Sequence, residues 1–169
     1  MKRIGLISDT HGYLHKDIVQ HFKNCDEIWH AGDFGSINWI NQLNEQLSKL
    51  NSTPLIRGVF GNIDGTDIRM AFPERLIFTC EKVKVMMQHI GGYPAKYAPG
   101  VKKILKDEEV KLFIGGHSHI LKVMYDESLG CLHMNPGAAG QQGWHKVKTI
   151  IRFTIDENDI KDCEVIELN

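Results

Sequence analysis

Seven residues of this chain carry side chains suited to one kind of chemistry: Asp9, His11, Asp33, Asn62, His89, His117 and His119. They supply two carboxylates, four imidazoles and one amide, all oxygen or nitrogen donors, with no thiolate among them. Such a set suits Mn²⁺, Fe²⁺, Co²⁺, Ni²⁺ or Zn²⁺, whereas Ca²⁺ takes oxygen alone. Seven donors are too many for one tetrahedral ion and suffice for two if a carboxylate bridges them. Each residue alone also has a plain reading. Asp9 can cap a helix, His11 can sit on a surface loop, His89 can fill the core, and Asn62 can make a turn. What sets the seven apart is their position along the chain.

Each falls where an apolar run ends. Ile4, Leu6 and Ile7 make a short buried strand that stops at Ser8-Asp9-Thr10-His11-Gly12. In Asp9-x-His11 the two side chains share a face if the extended geometry persists, so both can meet one cation. Asp26 to His30 is a second strand, delivering Asp33 after Ala31-Gly32. Pro54 to Phe60 is a third, ending in Gly61-Asn62-Ile63-Asp64-Gly65. Between them, Tyr13–Phe22 and Ile37–Leu50 read as helices with apolar residues at helical spacing. His15 and His21 are expected on the surface of the first helix, and His30 in the core or behind a ligand. Strand, helix, strand, helix, strand with polar residues at every strand end implies a parallel sheet with its ligands at the strand ends.

The second half changes character. Arg75–Thr79 and Lys82–Met87 read as paired strands, the latter leading to Gln88-His89. Gly91 to Gly100 is a loop and Val101–Lys106 a short helix. Val110–Ile114 is a strand ending in Gly115-Gly116-His117-Ser118-His119. A hairpin of Leu121–Tyr125 and Cys131–Met134 follows, then strands at Val147–Ile155 and Cys163–Leu168, so this sheet is mixed or antiparallel.

At 169 residues, 42% hydrophobic and 24% charged, the chain is expected to form a single domain, residues 1–169, without staples. A net charge of −1 argues against binding a nucleic-acid polymer through bulk electrostatics. Cys25, Cys80, Cys131 and Cys163 form no CxxC pair and are expected to be reduced, buried thiols. No leader and no apolar span of membrane length is evident, so a soluble cytoplasmic protein is expected.

Asp9-Thr10-His11-Gly12, Gly32-Asp33, Gly61-Asn62, His89 and Gly116-His117-Ser118-His119 together resemble the motif set of calcineurin-like metallophosphoesterases. The short length, His30-Ala31-Gly32-Asp33, Gly61-Asn62-x-Asp64 and Asn135-Pro136-Gly137 are similar to the small YfcE/Vps29-type members, over residues 4–140. The resemblance implies an α/β (α+β) fold of two packed mixed sheets flanked by helices, a four-layer sandwich. It implies a dinuclear metal centre, with Mn²⁺ the leading choice. Asp9, His11 and His119 would hold one ion, Asn62, His89 and His117 the other, and Asp33 would bridge them. Asp33, Asn62 and His11 are then also the candidate catalytic residues. The implied reaction is hydrolysis of a small phosphodiester by a hydroxide held between the two ions. A homodimer or homotetramer would be ordinary for the family.

One departure bears on substrate. Larger relatives carry a histidine after the motif asparagine, close to the leaving group; here Ile63 stands there and can donate no proton. Aryl or otherwise activated diesters are therefore expected to be preferred over alkyl ones. A second departure is Gln88-His89-Ile90-Gly91, where relatives often carry His-Gly. Arg57, Arg69, Lys96 and Tyr97 are candidate phosphate or base contacts, Tyr93 to Tyr97 a candidate pocket wall, and Trp144 a candidate subunit contact. Two rival readings keep the same fold: a Vps29-like scaffold that binds proteins, and a dinuclear hydrolase of a non-phosphate ester. Retention of all seven ligand-competent residues favours the phosphoesterase over the scaffold.

Overall fold

The computed structural model describes residues 1–169. It opens with β1 (Lys2–Ile7), α1 (Ile18–Phe22), β2 (Glu27–His30), α2 (Ile37–Ser48), β3 (Leu55–Gly58) and α3 (Thr66–Ala71). There follow β4 (Arg75–Cys80), β5 (Val83–Gln88), the small pair β6 (Gly92–Tyr93) and β7 (Lys96–Tyr97), and α4 (Val101–Asp107). The chain closes with β8 (Leu112–Ile114), β9 (Leu121–Asp126), β10 (Cys131–Pro136), β11 (Lys148–Asp156) and β12 (Asp159–Leu168). β1, β2 and β3 are parallel neighbours, as the alternating strand and helix pattern requires. One five-stranded sheet runs β12-β11-β1-β2-β3 and the other β4-β5-β8-β10-β9. Both are mixed: β11 lies antiparallel to β1, while β8 lies parallel to both β5 and β10.

Alternation along the strands sorts the side chains into layers. Ile4 and Leu6 of β1 and Trp29 of β2 meet Val85 and Met87 of β5 and Ile114 of β8 in the core between the sheets. Ile28 looks the other way, onto Phe22 of α1 and Leu43 and Leu47 of α2. Met86 and Phe113 pack outward on Val101 and Leu105 of α4. Helix, sheet, sheet, helix is thus the order of layers.

Several local expectations are corrected. Only the last turn of the Tyr13–Phe22 segment is helical, starting at Ile18. His15 is buried, its Nε2 2.8 Å from the backbone oxygen of Asn169, so a residue far along the chain and not solvent satisfies it. His30 belongs to the core, stacked on Phe34 at 3.6 Å with Nε2 2.9 Å from Thr10 Oγ1. The four cysteines are free, but only Cys80 and Cys131 are buried, and Cys163 is exposed. No helix is long and apolar enough to cross a membrane.

Candidate metal centre

The carboxyl ends of β1, β2 and β3 and of β5 and β8 converge, and all seven sequence-predicted donors arrive at that convergence. Backbone hydrogen bonds knit the first two loops together: Asp9 N to Gly32 O at 3.0 Å, His11 N to Asp33 O at 3.0 Å, and Gly12 N to Phe34 O at 2.7 Å. Within these turns the chain adopts an unusual backbone. Asp9, His11, Asp33, His117 and His119 all have positive φ, between 47° and 68°. A side chain in this left-handed region costs about 1 kcal/mol or more, and Asp and His tolerate it better than most. Strain of this kind clusters where function demands a particular aim.

The aim is inward. Asp9, His11 and His119 bring one donor atom each to a common point, as do Asp33, His89 and His117; within each group the atoms lie within 4.8 Å of one another. His89 Nε2 is 3.2 Å from Asp33 Oδ2 and 3.8 Å from Asp9 Oδ1, so the two groups adjoin. Asn62 Oδ1 lies 3.1 Å from His89 Nε2 and 3.0 Å from His117 Nδ1. Asp9 Oδ1 is 3.1 Å from His119 Nε2, and His11 Nε2 is 3.5 Å from Asp33 Oδ2. Yet Asp9 Oδ1 and His11 Nε2 are buried without an aligned hydrogen bond. Buried polar atoms are nearly always satisfied, so two orphaned lone-pair atoms in one cluster of carboxylates and imidazoles fit a cation.

Electrostatics agree. Burial works against charge on His89, but the Asp33 carboxylate it bonds and nearby Asp9 outweigh it and hold the imidazole above its usual pKa. Asp9 does the same for His119. Burial would raise Asp33; the hydrogen bond and charge of His89 overcome it and hold the carboxyl low. These carboxylates gather positive charge, protons or a metal alike.

Supporting residues escaped sequence reasoning because their chemistry is ordinary until the fold places them. Ser8 Oγ donates to Asp9 Oδ2 at 2.6 Å. The Ala31 carbonyl, 2.7 Å from His89 Nδ1, takes the proton there and leaves Nε2 facing the centre. Asp64 accepts from the backbone N–H groups of Gly35 and Gly61 at 2.9 and 2.8 Å, tying two site loops together; its place after Asn62 was the only hint. Gly61 is needed for closeness: a Cβ there would stand 2.8 Å from Asp33 Cγ. His145 packs edge-on against His119 at 5.2 Å.

Two candidate substrate contacts change role. Arg57 binds Glu27 at 2.8 Å and lies over Phe78, away from the centre. Tyr97 donates its hydroxyl to Asp126 at 2.6 Å. Arg69 holds the Asn62 loop, donating from Nε to Asp64 O at 2.6 Å, and lines a cavity with Asn62 and His89. Lys96 and Tyr93 do line a cavity beside His117. Trp144 is fully exposed.

The same fold recurs in solved structures. Wild-type Vps29 of Entamoeba histolytica complexed with Zn²⁺ superposes with a TM-score of 0.70 at 15% identity, covering 99% of each chain. A conserved Streptococcus pneumoniae protein described as a predicted phosphoesterase gives 0.65 at 19% identity, over 98% of this chain and 97% of that one. YfcE, a phosphoesterase from E. coli, gives 0.58 at 17% identity, over 99% and 100%. At these identities the likeness speaks for the fold. No curated protein matches the chain by sequence. Family assignment rests instead on the family model, which matches residues 1–158, and by it the chain belongs to the calcineurin-like phosphoesterase superfamily.

Proposed function

We propose that this chain is a metal-dependent phosphodiesterase working through two divalent ions. The observation that carries the reading is the pair of adjoining donor groups, one of them containing the orphaned, buried Asp9 Oδ1 and His11 Nε2. Asp9, His11 and His119 would hold one ion and Asn62, His89 and His117 the other, with Asp33 within reach of both groups and available to both ions. When bound, two such ions activate water at neutral pH and neutralise phosphate oxygens. The chain's own part is placement. Ser8 and the Ala31 carbonyl fix Asp9 and His89 in their ligating orientation. With its Oδ1 turned to two imidazoles, Asn62 keeps an exposed amide NH₂ free to donate to a phosphate oxygen. Asp33, Asn62 and His11 are accordingly assigned to catalysis as well as binding. Mn²⁺ is the leading choice among the ions that this oxygen and nitrogen donor set suits. Residues 1–169 are taken as one catalytic unit, acting on a small phosphoester in the cytoplasm, with a homo-oligomer as the expected assembly.

The test is hydrolysis of bis-p-nitrophenyl phosphate and p-nitrophenyl phosphate by chelator-stripped protein, with Mn²⁺, Ni²⁺, Zn²⁺ or Mg²⁺ restored singly and Asp33→Ala as control. Metal-restored diester cleavage that vanishes in the variant is expected. No metal binding at all would sink the reading. Folded protein that binds two ions but cleaves neither ester would favour a non-phosphate ester or a second reading, a scaffold for protein partners. Fully exposed Trp144 is the observation that favours the scaffold.

A further inference from the structure

Beside the candidate metal centre, on the His117 side, lies a cavity of about 220 Å³ beneath the β6–β7 hairpin. Its wall contains Lys96 and Lys122 and no Asp or Glu. Lys122 is held in place without a carboxylate, its Nζ 3.3 Å from the centroid of the Tyr93 ring. At the back stands His133, 1% exposed, with Nδ1 3.1 Å from the Phe113 carbonyl oxygen. A carbonyl accepts only, so the ring proton sits on Nδ1 and Nε2 is left as a lone-pair acceptor. Burial, reinforced by the Lys122 charge, keeps His133 neutral, with its pKa pushed down to about 4.

These features sort charge within the cavity. Two lysines without carboxylate partners offer charge-assisted hydrogen bonds at its rim, while the His133 lone pair disfavours an anion deeper in. The volume is below that of a drug-sized pocket and fits one substituent of a diester. His117 belongs to this wall and to the donor group with Asp33 and His89, so one molecule can span cavity and centre.

We infer that the cavity selects phosphodiesters one of whose ester arms ends in an anionic group, a carboxylate or phosphate, seated between Lys96 and Lys122 against Tyr93. The inference rests on the phosphodiesterase reading for the scissile bond, but not for the recognition itself. Three p-nitrophenyl phosphodiesters test it, with arms from butanol, 4-hydroxybutyrate and 3-hydroxypropylphosphonate, which differ chiefly in terminal charge. KM is expected to fall about tenfold or more for at least one anionic arm, and most at low salt. In the Lys96→Met/Lys122→Met protein that preference disappears while turnover of the butyl diester stays as in the wild type. Whichever anionic arm gains more tells carboxylate from phosphate. Equal KM values for charged and uncharged arms overturn the inference and leave the phosphodiesterase reading standing, as does a preference that survives the double substitution. If the wild type cleaves none of them, isothermal titration of the intact diesters decides. A charge preference lost in the double variant supports the cavity's role, and equal affinities refute it.

Discussion

Gly61 lies against Asp33 more closely than any side chain allows, and Gly61→Ala measures what that closeness is worth. The new Cβ would stand 2.8 Å from Asp33 Cγ and nearer still to Asp33 Oδ1 and the Asp33 backbone nitrogen. Carbon atoms settle about 3.5–4.0 Å apart, so one group must retreat by about 1 Å. Gly61 is pinned by its N–H to Asp64 Oδ2 at 2.8 Å, and Asp33 by the Ile63 N–H at 3.1 Å from its Oδ1. Overpacking of this kind costs about 1–3 kcal/mol. For a chain of this size that lowers Tm by about 2–12 °C. Catalysis should suffer more, since a misplacement of about 1 Å at a reacting centre costs about 100-fold in rate. The assay is kcat/KM on bis-p-nitrophenyl phosphate with saturating Mn²⁺, beside thermal melts of the same samples. Gly65→Ala is the control: its Cβ meets only Asp67 Oδ1 at 3.7 Å, and losing glycine at the start of α3 costs under about 1 kcal/mol. Gly61→Ala with kcat/KM within about twofold of wild type and an unshifted Tm would refute the close-approach argument.

Ser8→Ala removes the hydroxyl bonded to Asp9 Oδ2 and should weaken ion binding about 10–100-fold, read by competition with a chromophoric chelator; unchanged affinity counts against a supporting role. The metal-free protein should lose stability as pH rises. His89 and His119 are held above 6.5, so their contribution is complete below that value and is lost as pH climbs through the raised ones. Asp33, held below 3.8, contributes above that value and loses its share only as pH falls through the depressed one. Melts in chelator should therefore decline from about pH 6.5 toward about pH 8, and a Tm that rises across that interval contradicts the pairing.

The donor set was legible in the sequence because metal chemistry restricts residue type. Asp9, His11, Asp33, Asn62, His89, His117 and His119 stand at ends of apolar runs, those short runs marked β1, β2 and β3, and helical spacing marked α2. Those are local properties, written within a few residues. Nothing local announces that β11, beginning at Lys148, inserts beside β1 and completes the first sheet. Pairing between strands so distant in the chain is decided by which apolar faces find each other, Ile151 and Phe153 joining Ile4 and Leu6 over Val85 and Met87. His15 read as a surface residue for the same reason, since its partner is the backbone oxygen of Asn169, more than a hundred residues away along the chain. The left-handed backbone at Asp9, His11, Asp33, His117 and His119 was equally hidden. Asp and His tolerate it better than most residues, but tolerance does not say where it occurs, and here it is held by loops hydrogen-bonded to one another across the strand ends. Residue type thus determined what the site can bind. The tertiary structure decided how its donors are aimed, because aim comes from backbone strain that contacts far along the chain must sustain.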